Sequence, residues 1–223
     1  GIYPALSVLQ ALDASSVDVL WVGAEGRIET DIVTREKIPF TTIPAAGLHG
    51  VGLRSMPGNL LKLARGFFKS RQIIKDFQPD VFLFTGGFMA VPVALAGLNI
   101  PTLAYVPDLE PALAMQVVTR FADIVAVSMD QAHDFYPPRK KVITTGYPVR
   151  NNFTEATREA GLKHFNLDAD KPVLLVFGGS LGARSINQAL APILPELLED
   201  TQVIHVAGKQ NWDLAQEAIR ELP

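Results

Sequence analysis

The chain predicts an α/β protein built on parallel sheets, and two observations carry that expectation. Short apolar runs of strand type alternate with helical stretches almost from end to end, and glycine-bearing turns fall where strands stop. In such sheets ligands bind beyond the carboxyl ends of the strands, which is where these turns lie. Apolar runs predict strands at 17–22, 40–43, 81–84, 102–105, 124–127, 141–144, 173–177 and 202–206. Helical spacing predicts helices at 4–12, 28–36, 59–77, 90–97, 112–121, 183–199 and 212–222. Gly146-Tyr147-Pro148, then Asn151-Asn152 and a polar run at 154–159, punctuate this alternation. The expected division is one unit over 1–148, a linker over 149–170, and the first half of a second unit over 171–223.

Composition narrows the class. With 48% hydrophobic and 19% charged residues and a net charge of −3, the chain describes a soluble globular protein with a substantial core. That balance argues against a nucleic-acid binder, whose affinity rests on many phosphate contacts. The absence of cysteine excludes a disulfide framework and a thiolate metal site, and fits a cytosolic setting. No apolar run reaches membrane-spanning length. The chain starts at Gly1-Ile2-Tyr3-Pro4 without a methionine and runs straight into a helical pattern. It is expected to be a piece of a longer protein.

The stretch 173–190 is the most informative. Its apolar run ends at Gly178-Gly179-Ser180. After Leu181-Gly182, the residues Ala183, Ile186, Ala189 and Leu190 are spaced for one buried helix face. A strand, a glycine turn and a helix start make an anion cradle, because glycines let backbone N–H groups approach and the helix N-terminus is partly positive. The same pattern also suits a tight turn of small residues. No lysine follows, so it is not a P-loop, and the spacing is not the dinucleotide fingerprint of an oxidoreductase. Gly23-Ala24-Glu25-Gly26 and Gly86-Gly87 are two further turns of this kind.

Four other features could carry chemistry. Arg150 ends a proline-fixed turn, where a guanidinium suits a phosphate or an interdomain ion pair. Asp108 and Glu110 lie in the proline-bounded loop after a strand, where burial would make a carboxylate a general base; a helix cap or a solvated acid is the alternative. His49 sits in a glycine loop that could border a ligand, His205 reads as a core histidine, and no histidine spacing supports a metal. Finally, 54–75 holds six basic residues and no acidic one. Leu60, Leu63, Ala64, Phe67 and Ile74 are predicted to form its buried stripe. Leu61 and Phe68 beside Arg65 and Lys69 suit either a membrane surface or a solvated helix.

Taken together, these motifs resemble the MurG-type glycosyltransferases. The likeness runs through Ile2 to Leu6, Trp21-Val22-Gly23, Gly47-Leu48-His49-Gly50, the stretch 80–88 and Ile100-Pro101. It is sharpest at Gly146-Tyr147-Pro148-Val149-Arg150 and at the run 178–183 followed by Asn187. The resemblance implies a GT-B fold of two Rossmann-like domains, with the second incomplete here. It implies inverting transfer of N-acetylglucosamine from UDP-N-acetylglucosamine to a lipid-linked muramyl pentapeptide (lipid I to lipid II) in peptidoglycan synthesis. The expected setting is the inner, cytoplasmic face of the membrane, with no metal and no nucleic-acid partner. It further implies donor contacts from Arg150, Gly178, Gly179, Ser180 and Gly182. Acceptor contacts would come from Gly86, Gly87, Phe88 and His49, and anionic-lipid contacts from Leu61, Arg65, Phe68 and Lys69. Three departures follow. Tyr105-Val106-Pro107-Asp108 stands where the family usually has HEQN. Gly1 stands where the first glycine loop usually ends in histidine. The segment recognising uracil and sugar is absent, so this stretch alone is expected to be inactive. Asp108 or Glu110 then becomes the candidate base. The changed loop also leaves open another lipid acceptor such as diacylglycerol, or a non-catalytic nucleotide-sugar or lipid binder.

Overall fold

A computed structural model of the chain describes residues 1–13, 16–24, 29–47, 56–150, 153, 155–179 and 182–220. These divide into two units, Gly1–Thr154 and Glu155–Pro223. Every strand pairing is parallel, as alternating strands and helices require.

In the first unit β1 (Trp21–Ala24) pairs with β2 (Phe40–Ile43). A separate four-stranded sheet runs β3 (Phe82–Phe84), β4 (Thr102–Val106), β5 (Ile124–Val127) and β6 (Val142–Thr144), neighbours in sequence order. Around them lie α1 (Ile2–Ala11), α2 (Glu29–Arg35), α3 (Met56–Phe77), α4 (Ala90–Ala96) and α5 (Leu113–Phe121). Ile43, Phe84, Val93, Val106, Val118, Val125 and Val127 are buried members of one core. β-Branched side chains on strands buried on both faces explain why these runs read as continuous rather than alternating.

The second unit holds α6 (Arg158–Phe165), β7 (Val173–Phe177), α7 (Arg184–Leu190), α8 (Leu194–Asp200), β8 (Gln202–Val206) and α9 (Trp212–Arg220). β7 and β8 pair in register from Val173 with Gln202 to Phe177 with Val206. The apolar run predicted as a strand is one, but largely exposed here, with Leu175 at 54% and Phe177 at 63%.

Four expectations change. The predicted helix 183–199 is broken at Ala191–Ile193 by a single 3-10 turn, because Pro192 and Pro195 have no N–H to donate to the preceding turn. The stretch 149–170 read as linker contains α6. Thr157 caps that helix by accepting from Ala160 N at 3.2 Å, and Asn166 ends it in a left-handed conformation. Gly23 and Ala24 are buried inside β1 rather than opening a turn, and Glu25 and Gly26 lie outside the described residues. A 3-10 helix over Asp130–Phe135 was not foreseen.

In α3 the buried side matches the predicted stripe only in part. A Cβ on Gly66 would stand 2.3 Å from Pro44 O, so the helix meets the β2 exit through that glycine. Gly66 and Ser70 are the buried residues, with Leu63, Phe67 and Ile74 partly buried beside them. That rotation turns Leu60 (61% exposed) and Ala64 outward, against expectation. Leu60 thus lies exposed at the flank of the buried side, while Ala64 joins the exposed Leu61 and Phe68 farther round the helix, near Lys75.

Candidate functional site at the carboxyl edge of the first-unit sheet

Each parallel strand ends on the same side of the sheet, so the loops after β3, β4 and β6 share one edge. After β3 the chain turns through Gly86 and Gly87, at φ +128° and +89°, before α4 begins. Open space surrounds the Cβ position of Gly86, so its glycine is required by conformation rather than by packing. Phe88 follows, and a Cβ on Gly47 would come within 3.9 Å of its ring.

After β4 comes the loop with the two candidate acids. Ser128 Oγ donates to Pro107 O at 2.7 Å, and Gln116 Nε2 donates to Pro111 O at 3.0 Å. The loop is thereby tied at both ends, and Asp108, Leu109 and Glu110 project from it exposed. The burial that the sequence reading asked of a carboxylate base is not present in the structure. Asp108 is not a helix cap either: Ala112 holds the N-cap of α5, with no side-chain cap bond.

Beneath Asp108 lies a group that sequence reasoning passed over. Tyr105 is 4% exposed on β4, and its hydroxyl donates to Gly146 O at 3.3 Å. Its ring meets Tyr147 edge to face, centroids 6.4 Å apart. Burial, with Tyr147 and Asp108 nearby adding negative charge when ionised, pushes the Tyr105 phenol up to about 12. Tyr105 therefore stays a neutral donor, reaching past β5 to the segment that follows β6.

That segment turns at Gly146 (φ +75°) and leads to Arg150. The Arg150 Cζ lies 4.8 Å from the Tyr3 ring centroid and 5.3 Å from that of Phe153. The structure thus brings Gly86, Gly87, Asp108, Glu110 and Arg150 to one edge. It adds Tyr3, Tyr105, Tyr147 and Phe153, whose only sequence signal is an aromatic residue beside a turn or helix start. His49 lies outside the described residues.

In the second unit, β7 exits through Gly178 and Gly179; Ser180 lies outside the described residues. A Cβ on Gly178 would stand 2.3 Å from Ala183 N, so the loop folds directly over the start of α7. Gly182 N donates to Gly179 O at 3.1 Å, which spends its N–H inside the turn. Asn187, 3% exposed, fixes the neighbouring exit: Nδ2 donates to Ala207 O at 2.9 Å, and Oδ1 lies 2.9 Å from His205 Nε2. With the amide so oriented, Nε2–H is the donor, and burial holds the imidazole below its ordinary range. His205 is a satisfied structural histidine, as its strand pattern predicts.

Among the described residues no group of three His, Asp or Glu could hold a metal ion. No described helix is long and apolar enough to cross a membrane.

Residues 1–127 match the glycosyltransferase family 28 N-terminal domain, and residues 173–222 match the family's C-terminal domain. The chain belongs to glycosyltransferase family 28. It is 36% identical over its whole length to a protein of Roseiflexus sp. (strain RS-1), covering 60% of that protein. It is 34% identical to a protein of Listeria welshimeri, over 99% of this chain and 62% of that one. Both are named UDP-N-acetylglucosamine–N-acetylmuramyl-(pentapeptide) pyrophosphoryl-undecaprenol N-acetylglucosamine transferase. The chain thus spans about 60% of the length of these curated relatives. The crystal structure of Acinetobacter baumannii MurG superposes on all of this family 28 chain and 61% of itself, with TM-score 0.68 and 26% identity. The α/β, GT-B reading stands on that match. A Neisseria meningitidis UDP-GlcNAc 2-epimerase shares the fold at TM-score 0.63 and 13% identity, over 100% of this chain and 67% of its own.

Proposed function

We propose that the protein containing this chain transfers N-acetylglucosamine from UDP-N-acetylglucosamine to lipid I, giving lipid II, at the inner face of the cytoplasmic membrane. The observation that supports this most is the similarity along the whole of this chain, at 36% identity, to a relative bearing that activity in its name. The carboxyl-edge arrangement suits the chemistry. In the first unit Arg150 offers a guanidinium to the anionic donor. In the second unit Gly178, Gly179, Ser180 and Gly182 are the residues proposed for the diphosphate. Gly86, Gly87, Phe88 and His49 serve the acceptor. Asp108 takes the proton from the acceptor hydroxyl as that oxygen attacks the anomeric carbon in line with the departing UDP. One displacement inverts the centre and needs no covalent intermediate.

The outward face of α3 seats the protein on anionic lipid. Leu60, Leu61 and Phe68 are 61%, 53% and 69% exposed, and Arg65, Lys69, Arg71 and Lys75 are exposed cations on the same helix. Apolar insertion and attraction to anionic headgroups add, and neither alone gives firm binding.

A second acceptor class, diacylglycerol, is favoured by one feature: Tyr105-Val106-Pro107-Asp108 stands where the resemblance implies HEQN. UDP release by the complete protein, measured with lipid I and with diacylglycerol, separates the readings. Turnover with lipid I is expected, and turnover with diacylglycerol alone would replace the acceptor. UDP binding without turnover on either would leave a binding protein. Asp108→Asn should lower kcat by about a hundredfold or more with UDP affinity unchanged; an unaltered kcat removes Asp108 as base. Leu61→Ser with Phe68→Ser should abolish co-sedimentation with phosphatidylglycerol vesicles; retained binding would refute the α3 contact.

A further inference from the structure

Tyr3 occupies the first turn of α1, yet its ring is 47% exposed, so burial is not what calls for an aromatic there. The start of α1 is pressed against the β3 exit. Thr85 Oγ1 donates to Gly1 O at 2.8 Å, and a Cβ at Gly1 would stand only 2.0 Å from Thr85 O. The Tyr3 ring is therefore held at the carboxyl edge on the β3 side. Arg150 reaches it from the far side, because it follows β6, three strand spacings away, about 14 Å. Along that crossing, Gly146 is caught by the Tyr105 hydroxyl of β4, and the guanidinium stops against the rings of Tyr3 and Phe153.

The manner of holding matters. A carboxylate partner would neutralise an arginine and fill its donor fork. A ring face attracts the cation through its quadrupole and takes none of the five N–H donors in a conventional hydrogen bond. An arginine held in this way is oriented while still cationic, which prepares it for a bidentate anion. We infer that Tyr3 is a positioning residue for Arg150, fixing the guanidinium over the sheet edge as a receptor for the diphosphate of a nucleotide sugar, with Phe153 as the second ring. This rests on the reading that Arg150 serves the donor.

A double-mutant cycle in the complete protein tests it, read as KM for UDP-N-acetylglucosamine. Tyr3→Leu keeps apolar volume and removes the quadrupole. It should raise KM about three- to tenfold while kcat stays within about twofold and the melting midpoint holds. Tyr3→Phe, which keeps the ring, should restore the KM. In an Arg150→Ala background, Tyr3→Leu should have no further effect. An equal rise in both backgrounds overturns the inference, because Tyr3 would then act by itself. A KM raised by Arg150→Ala but unmoved by Tyr3→Leu also overturns it and leaves the donor role of Arg150 intact. A KM unmoved by Arg150→Ala removes that role, and the inference falls with it. Should neither acceptor support turnover, UDP titrated into the same four proteins by calorimetry should show this pattern in Kd. No UDP binding by any of them overturns both readings.

Discussion

Gly179 and Gly182 both have left-handed φ values, +82° and +77°, yet alanine should not cost the same at the two. A Cβ at Gly179 meets open space, whereas one at Gly182 would stand 1.9 Å from Ala207 O and 2.8 Å from Ala207 C. Conformation alone costs about 1–2 kcal/mol at either position. Forcing a methyl into packed backbone adds about 1–3 kcal/mol at Gly182. The expected losses are therefore about 1–2 kcal/mol for Gly179→Ala and about 2–5 kcal/mol for Gly182→Ala. Ala207 O also accepts from Asn187 Nδ2, so pushing that carbonyl away loosens a second bond. Consequently Gly182→Ala and Asn187→Ala should combine to less than their sum. Urea unfolding of the complete protein, followed by hydrogen exchange at β7 and β8 amides, measures all of this. Equal losses at the two glycines would refute the claim that the loops after β7 and β8 are in contact.

Asn187→Ala by itself leaves a buried carbonyl and a histidine N–H without partners, and should cost about 2–5 kcal/mol in the same unfolding assay. Burial lowers the His205 pKa, so the unfolded chain binds the proton more readily; stability present above about pH 6.5 is lost as pH falls through the folded value. His205→Gln should flatten that acid slope in the unfolding midpoint. For Tyr105 the sign reverses. Its raised pKa contributes stability below about pH 10 that is lost as pH rises toward about 12. Tyr105→Phe should abolish that loss and remove the last phenolate absorbance step. Ser128→Ala frees Pro107 O and should lower kcat while leaving the KM for the nucleotide sugar unchanged.

The fold was largely legible because its signals are local. Strands at 40–43, 124–127, 173–177 and 202–206 coincide with the observed ones, each being an apolar run bounded by turn residues. Misreadings occurred where a tertiary contact decided the outcome. The helical wheel of α3 put Leu60 in the core; the approach of Gly66 to Pro44 O rotated it out, and a glycine carries no hydrophobic weight on a wheel. Pro192 and Pro195 break the helical stripe through 183–199, because neither can donate an N–H to the turn before it. The glycines, Asp108 and Arg150 could be picked out because turn chemistry marks them. Tyr3 and Tyr105 could not, since their partners are 147 and 41 residues away and only folding brings them together.

That difference bears on the proposed base role of Asp108, a carboxylate in an exposed loop. A buried acid is tuned in advance by its surroundings, at the expense of desolvation in every state of the enzyme. Asp108 instead stands exposed on a loop whose two proline carbonyls are tied down by Ser128 and Gln116. Such a loop needs no rearrangement to present its acid, and an acceptor that covers it removes water only when the reacting hydroxyl has arrived. For the proposed base role, a loop fixed at both prolines presents its acid without the rearrangement that a mobile loop would need, and this favours preorganised geometry over permanent burial.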